Sequence, residues 1–573
     1  MIGTRRRAWR VWGLACGLVM SAGIAVQAAG DVPDVRDWPE AALSGARRIV
    51  IQHHGRHKPF DSFAWETLKH LTGSPTLGGQ DPVATTLSLI AEPERWQDAP
   101  LIAVPYGPLR DALGVPDESA HVSYHGIIAT RRLMQLLPPI VAKQQRDEKL
   151  TIAENETMDV YDRFVTLNLL FEQELDLVPP ASRLERTWLP VLNPAGHPPE
   201  ARDTVRGAWA SFVQAVRGGD AEALGQSARS LRRTLRDLQP SAYPAEWRLT
   251  LEVWYNRLEP FLLARIAYVL AILALAAGLR AGAPGVTPGG TSTAAAGSRR
   301  AAAIGMAAMT LAAALHAGGM VARVVLAERP PVANFYETML WLPFVAVVLA
   351  FVFEWRYRVR FFALAASILA VITLILADHL PLDSSITPIV AVLRSNLWLT
   401  VHVLTIVASY GALALAAVLA HFAGAKYLAR REDATLAALD LWLYRTIQVG
   451  VVLLAAGIML GAVWANASWG RYWGWDPKET WALITLLWFI AVLHGRFAGW
   501  LRPAGVAMAT IAGFFLLLMT YYGVSFYLVG LHSYAGGNAK PIPPLLIAYA
   551  IGEAAFIALL GAVMASRRVR AGA

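Results

Sequence analysis

From Pro260 onward the chain repeatedly runs through about 20 mainly apolar residues, the length a helix needs to cross a bilayer core of about 30 Å. No other feature limits the fold so strongly. Backbone in hydrocarbon must satisfy its own N–H and C=O groups, and a helix does this within one segment. Nine spans are predicted, beginning near Pro260, Ala301, Thr338, Phe361, Leu397, Arg445, Glu479, Ala504 and Pro543. Sparse charge agrees, since only 16% of the 573 residues are Asp, Glu, Lys or Arg, against about a quarter in soluble proteins. The expected fold class is an all-α polytopic membrane protein, in which the nine transmembrane helices follow a signal peptide and a mainly helical extracytoplasmic domain.

Residues 1–29 read as a signal peptide or an N-terminal anchor: Arg5, Arg6, Arg7 and Arg10 precede an apolar stretch that ends at the small residues of "VQAAG". Residues 30–258 have frequent charges and scattered prolines. Segments such as "ETMDVYDRFVTLNLLFEQEL" carry helical periodicity, so a mainly helical extracytoplasmic domain is expected. The first transmembrane helix is placed at 259–280, a Gly/Pro/Ser/Thr-rich flexible cytoplasmic linker at 281–300, and the remaining transmembrane domain at 301–573. The net charge of +9 could suggest nucleic acid. The basic residues after Pro260 instead fall in alternate short loops ("EWRYRVR", "AKYLARRED", "HGRFAGWLR") and the tail, the pattern that orients spans. No nucleic-acid partner is expected. The opposite loops, including "WGRYWGWDPKETW", are assigned to the outer side with the N-terminal domain.

That loop holds four tryptophans, Trp469, Trp473, Trp475 and Trp481. An interfacial aromatic belt accounts for one or two indoles at a helix end, but not for this density around Asp476 and Glu479. Gly470 and Gly474 let backbone lie close to a flat ligand. His402, near the outer end of the fifth span, and His532, in the last outer loop, flank the tryptophans. His402 alone reads equally as a satisfied helix-end residue. Two neutral imidazoles with an apolar aromatic platform between them suit a six-coordinate haem iron. His316 and His494 lie deeper in the second and seventh spans, where an ionisable residue is a functional candidate. The alternatives are packing for His316 and a snorkelling interface residue for His494. His53, His54 and His57 in "IQHHGRHKPFDSFAWETL" form either a metal or haem cluster or a structural surface segment. The one cysteine, Cys16, lies in the N-terminal apolar stretch, so no later thiol is available for a disulfide or for covalent haem attachment.

Together, "WGRYWGWDPKETW", "SNLWLTVHV", "GLHSYAGG" and "ITPIVAVLRSN" resemble the CcsA/ResC family of cytochrome c assembly proteins with the tryptophan-rich WWD signature. The resemblance covers roughly residues 301–573. It implies a haem-handling protein that binds haem b and presents it at the outer face under a haem-binding loop of Trp469, Gly470, Trp473, Gly474, Trp475 and Asp476. His402 and His532 would be the outer axial ligands, and His316 and His494 the intramembrane ones. Haem would be attached to the thiols of an apocytochrome c CxxCH motif, the chain acting within a cytochrome c haem lyase (synthase) complex. The implied partners are a CcsB/ResB-type membrane subunit and thioredoxin-like thiol reductants, and the implied location is the bacterial cytoplasmic (inner) membrane. The competing functions are a b-type haem electron carrier and a haem transporter without ligation activity.

Overall fold

A computed structural model describes residues 32–116, 119–280, 292–380, 382–388, 396–429, 433–532 and 542–572. The expected signal segment 1–29, the lone Cys16 and residues 281–291 of the expected linker lie outside the described residues. The chain divides into two units. One runs up to Leu258 and also takes in Ser385–Pro388, and the other holds the rest from Glu259 onward.

The N-terminal unit contains α1 (Glu40–Arg47), the hairpin β1 (Val50–His53) and β2 (Arg56–Pro59), α2 (Phe60–Thr72), α3 (Pro82–Ala91), α4 (Ile152–Phe171), α5 (Pro199–Gly218), α6 (Ala221–Leu238) and α7 (Glu246–Leu258), with further elements between them, among them a helix at Arg132–Gln145. Local chemistry sets these boundaries. Asp81 and Asp220 accept backbone N–H bonds at the starts of α3 and α6, and Thr151 and Glu154 form a reciprocal capping box at the start of α4. On α6, Leu224, Ala228, Leu231 and Leu235 recur at helical spacing and are all buried, so one stripe faces the core while the arginines face out.

The "HHGRHKPFD" segment is a tight hairpin. His54 and Gly55 take φ of 50° and 72°, as a two-residue turn matching strand twist requires. Its charges are buried in pairs: Lys58, wholly enclosed, meets Glu66, and Arg47 bonds both Asp61 (2.8 Å) and Asp81 (2.5 Å). Glu252 of α7 receives both terminal nitrogens of Arg56, at 2.7 and 2.5 Å, and the Ser62 hydroxyl at 2.6 Å. Arg56 Nε donates to the Ile386 carbonyl at 2.9 Å. His53 stacks on His54 with centroids 3.9 Å apart, and His57 lies over Trp188. Burial, with the nearby Lys58 charge, pulls His53 down to about 3. Among the described residues no group of three His, Cys, Asp or Glu side chains is arranged to hold a metal ion.

The second unit contains α8 (Pro260–Arg280), α9 (Ser292–Ala327), α10 (Phe335–Tyr357), α11 (Phe361–His379), α12 (Asn396–Leu428), α13 (Ala434–Trp469), α14 (Pro477–Phe497), α15 (Pro503–Leu518), a π-helical turn (Met519–Gly523) leading to α16 (Val524–Tyr527), and α17 (Pro544–Gly572). Counting α15 through α16 as one, nine helices among the described residues are long and apolar enough to cross a membrane. The helix α9 already begins inside the expected linker. The helix α13 starts well before Arg445 because Asp433 caps it, accepting from Leu436 N. Its first turns bury Leu436, Leu439, Trp442 and Leu443 while Asp440 and Arg445 interrupt the apolar run that sequence reading follows.

Small residues set the closest approach of α12 and α13. A Cβ at Gly450, Gly457 or Gly461 would come within 2.6–2.8 Å of Leu413, Ile406 and His402 respectively. These glycines recur along one face of α13, and their contacts descend α12 in the opposite sense. The two helices therefore interlock as an antiparallel pair through a small-residue seam, the usual route to close packing where lipid offers no hydrophobic driving force.

Candidate functional site

Asp476 organises the end of the bundle where α13 finishes and α14 begins. It is the N-cap of α14, accepting from Lys478 N at 2.9 Å, while Glu479 reaches back to Asp476 N at 3.1 Å. Glu479 also accepts from Gly474 N at 2.8 Å, pinning the loop. The Asp476 side chain is 3% exposed and has two further duties: Oδ2 accepts from Leu531 N at 2.7 Å, and Oδ1 accepts from His532 Nδ1 at 2.8 Å. Burial pushes this carboxyl up, but the bonds it accepts from His532 and the two backbone N–H groups outweigh burial and hold it below the usual carboxylate range. Gly530 is required here, since a Cβ would lie 2.5 Å from Oδ2.

His402 and His532 are prepared alike. The Nδ1 of His402 donates to the Gly457 carbonyl at 2.9 Å, an acceptor that fixes the proton on Nδ1. The ionised Asp476 does the same for His532. Each neutral imidazole is thereby left with an Nε2 lone pair. A hydrogen-bond acceptor on the other ring nitrogen is the usual arrangement for a metal-ligating histidine. Gly461 makes room for His402, whose Cε1 would lie 2.7 Å from any Cβ there.

Trp464, a residue that sequence reading passes over, links the two rings. Its indole lies 6.1 Å from His402, nearly parallel at 12°, and 6.0 Å from His532. Trp469 packs edge-on to Trp464 at 4.6 Å and to His532 at 5.5 Å. Trp464 is 3% exposed, and its Nε1 is buried without a partner. In "GAVWANASWG" it looks like one more apolar residue of the span; the available signal is its position three residues after Gly461. Trp473 and Trp475 pack against each other at 5.8 Å, and Trp475 is 70% exposed with a φ of 56°. The glycines have local duties. Gly470 ends α13 in the left-handed region, and Gly474 leaves space that the Arg471 guanidinium fills. Lys478, also passed over by sequence reading, donates to Ser525 Oγ at 2.6 Å and to the Tyr521 carbonyl in the π-helical turn at 3.0 Å. It thereby ties the start of α14 to the helix that leads to His532, using a carbonyl in a turn type often kept at functional positions.

The deeper histidines are not brought together. His316 on α9 is fully buried among Phe261, Tyr268 and Phe344, with Nε2 donating to the Leu340 carbonyl at 3.0 Å and Nδ1 facing the Tyr268 hydroxyl at 3.4 Å. His494 is exposed near the end of α14, and its Nδ1 donates to Ile490 O, one turn back, at 2.9 Å. The helix α9 packs on α8, α10 and α11, whereas α14 packs on α13 and α15. His421 pairs with Glu553 of α17 at 2.8 Å.

The donor set, two pre-oriented imidazoles on an indole cluster with an orphaned buried N–H, fits an iron porphyrin. It lies in a polytopic helical protein, where α13 finishes and α14 begins. Comparison with known proteins agrees with that class. Residues 332–532 match the family model for the cytochrome C assembly protein, a stretch that includes His402, the tryptophan loop, His494 and His532 and stops short of His316. The chain is 33% identical over 251 residues to the cytochrome c biogenesis protein CcsA of Prochlorococcus marinus (strain MIT 9515), covering 78% of that protein and 38% of this chain. It is 35% identical over 242 residues to CcsA of Synechococcus sp. (strain CC9902), covering 77% of that protein and 36% of this chain. Protein NrfI of Wolinella succinogenes is 31% identical over 526 residues, which is 86% of this chain; the chain spans about half of NrfI, 54% of its length. The chain belongs to the CcsA family of cytochrome c biogenesis proteins, and is a multi-pass membrane protein.

Proposed function

We propose that this protein serves cytochrome c maturation by holding haem b through His402 and His532 and presenting it to apocytochrome c for covalent attachment. The observation that carries the reading is the matched preparation of the two imidazoles, each with Nδ1 engaged by an acceptor and Nε2 left to bind iron, with Trp464 about 6 Å from both rings. His402 and His532 supply the axial nitrogens, and Asp476 and the Gly457 carbonyl hold their tautomers. Trp464 and Trp469 exclude water from the space between them, and exposed Trp475 and Tyr472 form the rim that an incoming polypeptide meets. Bound haem supplies vinyl groups across which two cysteine thiols add, the sulfur bonding one carbon and the proton going to its neighbour. The chain's own contribution is placement, which by itself can supply a large rate advantage.

The basic alternate loops support placing this end of the bundle, with the N-terminal domain, outside the cytoplasm of a bacterial inner membrane. With no thiol of its own after Cys16, the chain relies on thioredoxin-like reductants to keep the CxxCH thiols reduced, and on a CcsB/ResB-type membrane subunit. His494 keeps a free Nε2 and serves as a candidate ligand on the entry side. His316 becomes one only by giving up its bonds to Leu340 and Tyr268.

The test is co-expression of the full chain with its partner subunit and a CxxCH reporter, scored for covalent haem. Reporter haemylation that is lost in His402→Gly and His532→Gly, with membrane insertion unchanged, supports the reading. Retained haem without a covalent product in the parent protein points instead to an electron carrier or a transporter.

A further inference from the structure

Among the described residues, three donors near the end of α13 have no partner: the indole Nε1 of Trp464, the hydroxyl of Ser468 and the Nη1 of Arg471, all screened from solvent. A buried donor with nothing to bond is costly, so three of them between residues 464 and 471 point to a group that arrives from outside the chain. Trp464 and Ser468 are one turn apart on the last turns of α13 and so share a face. After Gly470 turns the chain, Arg471 sets its guanidinium 5.9 Å from the Trp469 ring and over Gly474, in the space a side chain there would need. Trp464 and Trp469 are the two indoles packed on His532, at 6.0 and 5.5 Å. The other cation of the loop, Lys478, is already committed to Ser525 and Tyr521.

The chemistry of the cluster selects its occupant. An indole N–H and a guanidinium can only donate, so the incoming group must accept, and beside an Arg with no carboxylate partner it should be anionic. We propose that Trp464, Ser468 and Arg471 receive a propionate carboxylate of the porphyrin held by His402 and His532. This rests on the haem reading above and adds to it a direction. The propionates of haem b occupy one edge of the macrocycle, so anchoring that edge against the end of α13 turns the vinyl-bearing side away from the cluster. A lipid phosphate would carry similar charge, but Trp464 is 3% exposed, with its indole 6.1 and 6.0 Å from the two imidazoles.

The test compares iron protoporphyrin IX with its dimethyl ester, which keeps the ring, iron and vinyls but blocks both carboxylates, titrated into the purified full chain and followed by bis-imidazole absorption. Hydrogen bonds to a charged group are strong enough that the free acid should bind about 10- to 100-fold tighter than the ester. Trp464→Phe, which removes the N–H and keeps an aromatic ring, and Arg471→Gln should each lower that preference about tenfold. Arg471→Gln should retain the bis-imidazole spectrum with either porphyrin. Equal affinity of the unaltered protein for acid and ester overturns the propionate assignment and leaves the haem site standing. An Arg471→Gln protein that keeps the full preference, as it would if the guanidinium served a lipid, also overturns it. Failure of the unaltered protein to bind either porphyrin overturns both readings.

Discussion

Replacing Asp476 with Asn takes one acceptor oxygen from a group that serves three N–H donors. In the native arrangement Oδ1 accepts from Lys478 N and His532 Nδ1, and Oδ2 accepts from Leu531 N. An Asn amide oriented to keep the first two presents its NH2 to Leu531 N, donor against donor at 2.7 Å. Flipped, it faces two donors in the same way. At 3% exposure water cannot readily substitute. A hydrogen bond to a charged acceptor is worth about 1.5–3 kcal/mol, and each 1.4 kcal/mol is about tenfold in affinity. Haem affinity should therefore fall about 10- to 100-fold, the range typical for losing the hydrogen-bond partner that orients a metal-bound histidine. The assay is a haem titration of the purified full chain, read as the bis-imidazole absorption of the ferric and ferrous forms. Asp476→Asn should leave the helical content unchanged. When the same change is made in His532→Ala it should have little further effect, because the residue it positions is gone. An Asp476→Asn protein that binds haem as tightly as the parent would refute the positioning argument. Equal effects of the Asn change with and without His532 would assign Asp476 to loop structure alone.

Gly461→Ala should displace the His402 ring, since the new methyl would lie 2.7 Å from Cε1; loss of bis-imidazole absorption with normal membrane insertion is the expected result. The pH dependence of Asp476 follows from its lowered carboxyl pKa. The stabilisation it provides is complete above the ordinary Asp value of about 3.9 and is lost only as pH falls through the lower folded value. The infrared carboxylate band missing from Asp476→Asn should thus persist below pH ~4 in the parent, and a midpoint above that contradicts the assignment. In the N-terminal unit, Thr151→Ala removes one half of the α4 capping box and should cost about 1 kcal/mol, read as faster amide exchange in the first turn of α4.

Much of the architecture is legible because membrane spans are written in composition and length. The expected starts at Pro260, Phe361, Leu397 and Ala504 fall within a residue of helices at Pro260, Phe361, Asn396 and Pro503. Boundaries slip where polar residues extend a helix beyond its apolar core, as Asp440 and Arg445 do in the first turns of α13. At the site, the sequence points to His402, His532 and the tryptophans because their residue types are costly and conspicuous. It does not reveal Trp464, whose importance comes from the rings near it, or Gly461, whose importance comes from an imidazole far away in sequence. Gly470 and Gly474 stand out in sequence as flexible backbone. In the fold, one terminates a helix and the other accommodates an arginine, roles set by neighbours that one sequence does not display. His316 shows the converse, a histidine conspicuous in an apolar span yet satisfied by a carbonyl and a tyrosine.

The glycine seam between α12 and α13 has a mechanical consequence. The height of the first imidazole is set by the meshing of two long rods rather than by any loop. Sliding one rod against the other by a single turn, about 5.4 Å, would carry that ring off Trp464 and away from the carbonyl that orients it. Glycine at 450, 457 and 461 makes such slippage difficult, because each bulge on α12 sits in its own notch. The height of the His402 ring is thus gauged from deep within the bundle rather than from the surface loop, which sets the position of His532 instead.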